Sequence, residues 1–105
     1  MSYSSNKELS MSHEDNEKEI WSMIGFVKVS PTRYKTLKAL EKEFLIPTEI
    51  AQNSGLRITQ VSNALHDLKE KNLVFCENEE TKRGRIYKNT EMGMKVLQKI
   101  DDNTY

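Results

Sequence analysis

The stretch Pro47 to Val74, PTEIAQNSGLRITQVSNALHDLKEKNLV, limits the fold of this chain more than any other. Pro47 suits the first turn of a short helix, where a missing amide hydrogen loses no bond, and Gly55 after Asn53-Ser54 supplies the left-handed residue that ends it. Leu56 turns the chain into a longer helix, Ile58 to Lys71. There Ile58, Val61, Ala64, Leu65 and Leu68 recur at three- and four-residue spacings and so share one face. The opposite face is polar. Two helices joined by about four residues around a glycine, the second exposing an uncharged polar row, outline a helix-turn-helix.

Everything else is arranged around that pair. Residues 1–13 are polar, serine-rich and almost without apolar groups, so burial cannot offset the entropy of ordering them; a disordered tail is expected. Within residues 14–29, Ile20, Met23, Ile24 and Val27 fall at helical spacing behind an acidic cluster, which predicts an amphipathic helix, with a short strand at Phe26 to Val29 as the alternative. Ser30-Pro31 is a helix start, a capping hydroxyl followed by proline. The helix it opens turns Tyr34, Leu37, Leu40 and Phe44 inward and stops before Pro47. Residues Phe44 to Ile46 can then pair briefly with a hairpin formed by Leu73 to Glu77 and Arg85 to Lys88 across a polar, glycine-containing loop. Thr90-Glu91 opens a last helix carrying Met92, Val96, Leu97 and Ile100, with Gly93 placed for close approach of a neighbour and the chain fraying from Asp101. The domain proper is expected over residues 30–101.

A chain of 105 residues supports one domain with a modest core. Its 16 basic and 16 acidic residues cancel, so no overall field draws it to nucleic acid. Residues 1–30 carry three Lys against five acids, which leaves 13 basic against 11 acidic side chains for the rest. A nucleic-acid partner would therefore need basic groups gathered on one surface. The single Cys76 rules out an intramolecular disulfide and fits a reducing interior. No membrane-length apolar run and no secretory leader are present, so a cytoplasmic protein is expected.

The fragments T-E-I-A from Thr48, G-L at Gly55, V-S-x-A-L-x-x-L-x-x-K-x-L-V from Val61, R-G-R-x-Y from Arg83 and T-x-x-G-x-x-V-L from Thr90 occur in an informative order. Together they resemble winged helix-turn-helix regulators of the broad MarR and ArsR type, most closely small archaeal members, over Ser30 to Ile100. The resemblance implies a mainly α (α+β) fold, a three-helix core with a small antiparallel β wing plus amino- and carboxy-terminal helices. It also implies a homodimeric transcription factor that places its second motif helix in the major groove and its wing against the backbone or minor groove. The apolar residues flanking the motif, Ile20, Trp21, Met23, Ile24 and Val27 with Val96, Leu97 and Ile100, exceed what one small core needs and are the expected two-fold interface.

At about 100° per residue from Ile58, the residues Thr59, Gln60 and Asn63 point away from the apolar face. These types suit base edges: Asn or Gln can address adenine through two hydrogen bonds, and Thr can donate, accept or touch a thymine methyl. Asp67 and Glu70 share that side farther along and would be repelled by phosphates, so only the first two turns should enter the groove. Arg57 stands where a capping hydroxyl is usual and could reach a phosphate or a guanine, and Thr48 could join helix-start amides in holding a phosphate. Lys82, Arg83 and Arg85 around Gly84 form the densest basic cluster, placed to grip phosphates or a narrow minor groove, with Arg33, Lys35 and Lys38 as weaker backbone candidates. For each group the plain alternative is a solvated surface, or for Thr48 a local cap.

No catalytic constellation emerges, and no cofactor is expected. His13, His66 and Cys76 lack metal-ligand spacing, so metal sensing is not expected. Cys76 alternates with Val74 and reads as a core-facing small hydrophobe. Three functions stay open: a sequence-specific regulator binding double-stranded DNA, a winged-helix protein-interaction module of a transcription or chromatin assembly, and a nonspecific chromatin-coating protein.

Overall fold

The computed structural model describes residues 17–102, so the expected tail over residues 1–13 and the last three residues lie outside the described residues. A first helix, α1, occupies described residues 17–28. Then come α2 (Pro31–Ala39), α3 (Pro47–Ser54), α4 (Ile58–Glu70), β1 (Val74–Cys76), β2 (Tyr87–Asn89) and α5 (Glu91–Asp102). The strand considered for Phe26 to Val29 does not form. The Val29 amide instead donates to the Gly25 carbonyl at 3.1 Å, which extends the helical pattern to the Ser30 corner.

The start and stop signals act locally. The Ser30 hydroxyl accepts the Arg33 amide at 3.3 Å, and Pro31 opens α2. At α3 the cap is a side chain from inside the helix: the Ile46 amide donates to Glu49 Oε1 at 3.0 Å. Gly55, at φ 77°, closes α3 by donating to the Ala51 carbonyl at 2.9 Å. One expectation needs correcting. α2 ends at Ala39, well short of Phe44, because Leu45 is drawn into the sheet by two backbone bonds with Tyr87, at 3.0 and 2.8 Å, that require extended chain. Phe44 is consequently 43% exposed, its ring edge-on to Phe75 with centroids 6.0 Å apart.

β1 and β2 are antiparallel with Val74 opposite Asn89 and Cys76 opposite Tyr87, and Leu45 adds the bridge expected on the far side. β2 begins two residues later than the sequence suggested, since Arg85 and Ile86 are committed to closing the loop. Below the sheet, Leu37, Leu40, Ile50, Val61, Leu65 and Leu68 form a single core with Leu73, Val74, Val96 and Leu97. Cys76 lies at its edge, buried like Val74.

The core also takes in five of the eight apolar residues expected at a two-fold interface. Ile24, Val27, Val96, Leu97 and Ile100 are buried within the protomer, none more than 7% exposed. An amphipathic pattern shows that a face is covered, and here α1 and α5 are covered by their own domain. Of the eight, Trp21 is exposed at 60%, while Ile20 and Met23 are half-buried.

Two polar clusters fix the helices relative to one another. Arg33 donates to the Phe26 carbonyl at 2.9 Å and to Asp67 Oδ2 at 3.3 Å, with its guanidinium 4.0 Å above the Phe26 ring centroid. It thereby ties the end of α1 to α2 and α4. On the other flank, Tyr34 and Lys38 of α2 each donate to Asp101 of α5 at 2.7 Å. Burial opposes ionisation of Asp101, but the hydrogen bonds from Lys38 and Tyr34 outweigh it and hold the carboxyl below its ordinary value. The same contact, led by the hydrogen bond to Asp101, raises the Tyr34 hydroxyl. A depressed carboxyl stabilises the fold above its unfolded-state value and loses that contribution as pH falls through the folded value. Asp101→Asn is therefore expected to cost about 1 kcal/mol at neutral pH, the low end for a partly exposed charge-assisted contact. In denaturant titrations the gap from wild type should close as pH drops below about 4, the ordinary aspartate range.

Candidate nucleic-acid interface

α3 and α4 meet across Gly55-Leu56-Arg57, and α3 together with α2 supports α4 from behind. Val61, Ala64, Leu65 and Leu68 are buried, which leaves Thr59, Gln60 and Asn63 exposed. Ile58, placed on the apolar face by its spacing, is 44% exposed. It is the first residue of the helix, before α4 has come under α2, so its side chain escapes the core. Without Ile58 the centre of the buried face shifts by about 15°, and the outermost line, by the 3.6-residue period, runs through Thr59, Asn63, His66 and Glu70.

Gln60 lies to one side of that line with its oxygen already engaged. Its Oε1 accepts the Arg57 amide at 3.0 Å, the reciprocal half of a capping box, while Arg57 itself offers no side-chain cap. A two-point contact with adenine uses that oxygen together with the amide nitrogen, so at Gln60 the oxygen would have to serve the base with its second lone pair while the first holds the cap. Asp67 also leaves the outer row: it is half-buried and bonded to Arg33, which removes the repulsion expected of it. Glu70 stays outside, with His66 Nε2 3.4 Å from its Oε2.

The loop between β1 and β2 is closed by two side chains. Asn78 accepts the Ile86 amide at 2.9 Å and donates to the Gly84 carbonyl at 3.1 Å. Arg85 donates through Nε to the Thr81 carbonyl at 2.6 Å and through Nη2 to the Glu79 carbonyl at 3.1 Å. Arg85 therefore shapes the wing from within, half-buried, while Lys82 and Arg83 stand exposed at the tip. Sequence reasoning missed Asn78; its signal was an Asn immediately after a strand, a residue that bonds nearby backbone readily. Lys69 of α4 meets Glu79 at 2.5 Å, fastening the wing beside the helix. That ion pair lowers the Glu79 carboxyl and raises Lys69.

Arg57, Lys82 and Arg83 are cations without an ion-pair partner among the described residues, and Thr48 is exposed on the first turn of α3. Of the weaker candidates, Arg33 and Lys38 are taken up by internal contacts, and Lys35 is exposed. No group of three or more His, Cys, Asp or Glu side chains that could hold a metal occurs among the described residues. No described helix is long and apolar enough to cross a membrane. An exposed row of uncharged donors and acceptors that starts beside Arg57, on a helix tied to a wing whose tip carries the exposed Lys82 and Arg83, offers groups suited to base edges and to phosphates.

No protein-family model and no curated protein sequence matches the chain. Solved structures do. The chain is similar to TubR from Bacillus thuringiensis serovar israelensis, solved bound to 24 bp of tubC, with a TM-score of 0.70 and 14% identity over 81% of this chain and 95% of that one. It is similar to MepR of S. aureus in a DNA complex, with a TM-score of 0.60 and 18% identity over 91% of this chain and 78% of that one. A MarR family transcriptional regulator from Silicibacter pomeroyi DSS matches with a TM-score of 0.64 and 17% identity, over 92% of this chain and 65% of the regulator. The fold is a winged helix.

Proposed function

We propose that this protein is a sequence-specific, double-stranded DNA-binding transcriptional regulator of the MarR and ArsR type, acting in the cytoplasm. The observation that carries the proposal is the exposed Thr59–Asn63 row on α4, free of acid over its first two turns, with Arg57 beside it and Lys82 and Arg83 at the wing tip all without an ion-pair partner among the described residues. Support comes from scaffolds of the same fold solved on DNA, TubR and MepR. In this reading α4 enters the major groove, Asn63 and Thr59 meet base edges, and Gln60 holds the start of the helix. Thr48 and Arg57 contact phosphates, while Lys82 and Arg83 meet the backbone or minor groove on a wing shaped by Arg85. Two copies bind together through the α1 and α5 side, where Trp21 is exposed, and read half-sites about 34 Å apart.

A gel shift on genomic fragments, competed with random DNA and followed by footprinting of the retained fragments, tests this. The expected result is a subset of fragments that survives excess competitor, with protection over an inverted repeat. The second reading, a protein-interaction module, is favoured by the zero net charge and by the exposed Phe44–Phe75 pair on the outer sheet. It takes precedence if no fragment is retained.

A further inference from the structure

We infer that His66 completes the base-reading row of α4, and that protonation of its imidazole strengthens DNA binding by neutralising Glu70. The inference rests on the DNA-binding reading above and names a residue that reading does not contain. Thr59, Asn63 and His66 follow one another at spacings of four and three, so they form one line along the side of α4 opposite Val61 and Leu68. The His66 side chain is 71% exposed, at the mouth of a cleft whose other wall carries Arg85 and Tyr87 of the wing. Gln60, by contrast, has its oxygen held by the Arg57 amide.

The row ends in a carboxylate. Glu70, 67% exposed, lies 3.4 Å from His66 Nε2 and would stand against DNA phosphates on the same face. A neutral imidazole leaves that charge in place. A protonated one donates from both nitrogens, so one N–H can satisfy Glu70 while the other addresses an acceptor such as guanine N7 or O6. The surrounding charges do not substitute for it. Lys69, on the same cleft wall, is paired with Glu79, and Arg85, which faces His66 from the wing with Tyr87, has Nε and Nη2 bonded to loop carbonyls. Asp67 is paired with Arg33. Compensation of Glu70 at this face therefore passes through His66.

The test is a fluorescence anisotropy titration of the full chain on a duplex retained in the genomic screen, at fixed ionic strength from about pH 5.5 to about pH 8, the range over which imidazoles change charge. Wild type is expected to bind about tenfold more tightly at the acid end, the equivalent of one charge contact. His66→Gln should remove most of that dependence, and Glu70→Gln should bind more tightly than wild type at the alkaline end with a shallower profile. His13 is common to all three proteins and cancels from the comparison. Both variants are at exposed positions, and circular dichroism verifies that they fold. Parallel profiles for wild type and His66→Gln overturn the inference while leaving the DNA-binding reading intact. A wild type that binds no duplex above random competitor overturns both.

Discussion

Gly93→Ala is expected to destabilise the fold by about 3 kcal/mol, the upper part of the range for overpacking a filled interior. α5 begins by resting on the turn between α4 and β1. The Leu73 carbonyl accepts the Thr90 amide at 3.0 Å, the Thr90 hydroxyl donates to the Asn72 carbonyl at 2.6 Å, and the Gly93 amide returns to that hydroxyl at 3.0 Å. Asn72 holds φ at 61° to make the turn. A methyl group on Gly93 would run into the Leu73 carbonyl oxygen, which is backbone and cannot swing away. To relieve it α5 must lift, and with it the buried Val96, Leu97 and Ile100. Gly25→Ala provides the contrast, because it adds a methyl to an open face of α1 and should stabilise by about 0.5–1 kcal/mol through helix propensity alone. Urea denaturation of both variants checks the pair; equal midpoints would show that the contact at Gly93 does not govern how α5 seats.

That contact was legible beforehand, as were the other signals that act within a few residues. Ser30-Pro31, Pro47, Gly55 and Thr90 punctuate the chain through bonds to their immediate neighbours, so their meaning survives without knowing the tertiary structure. The failures have a common cause in distance or shared use. Arg33 and Asp67 are 34 positions apart, and nothing in either segment announces the pair. Arg85 was visible as a wing cation, but its bonds go to the Thr81 and Glu79 carbonyls, whose directions depend on the path of the loop. Ile58 carried an apolar spacing without coverage, which displaced the apparent centre of the buried face of α4. For α1 and α5, amphipathicity fixed the covered face and said nothing about whether the cover came from the same protomer.

Asn63→Ala is expected to cost on the order of 1–3 kcal/mol on the preferred DNA and much less on random DNA. Asn63 is exposed, lies between Thr59 and His66 on the outer line, and its side chain has no hydrogen-bonded partner among the described residues, so stability should be little changed. A two-point contact with one base is lost only where that base is present, and the sequence preference should fall accordingly. Gln60→Ala should behave differently: loss of the Arg57 cap lowers stability by about 1 kcal/mol, read in a thermal melt. If Gln60→Ala instead abolished preference at unchanged stability, the reading of α4 would have to be rotated back toward Gln60.

The decisive measurement is a salt titration of binding for wild type, Asn63→Ala, Lys82→Ala and Arg83→Ala on the preferred duplex and on random DNA of equal length. Loss of Lys82 or Arg83 is expected to weaken both DNAs by similar factors and to lower the slope of log affinity against log salt by about one, because each neutralises a phosphate and no base. Asn63→Ala should keep the wild-type slope and lose the preference. Wing variants that bind as wild type does, together with no preference for any DNA, would contradict the assignment of α4 and the wing to a DNA interface.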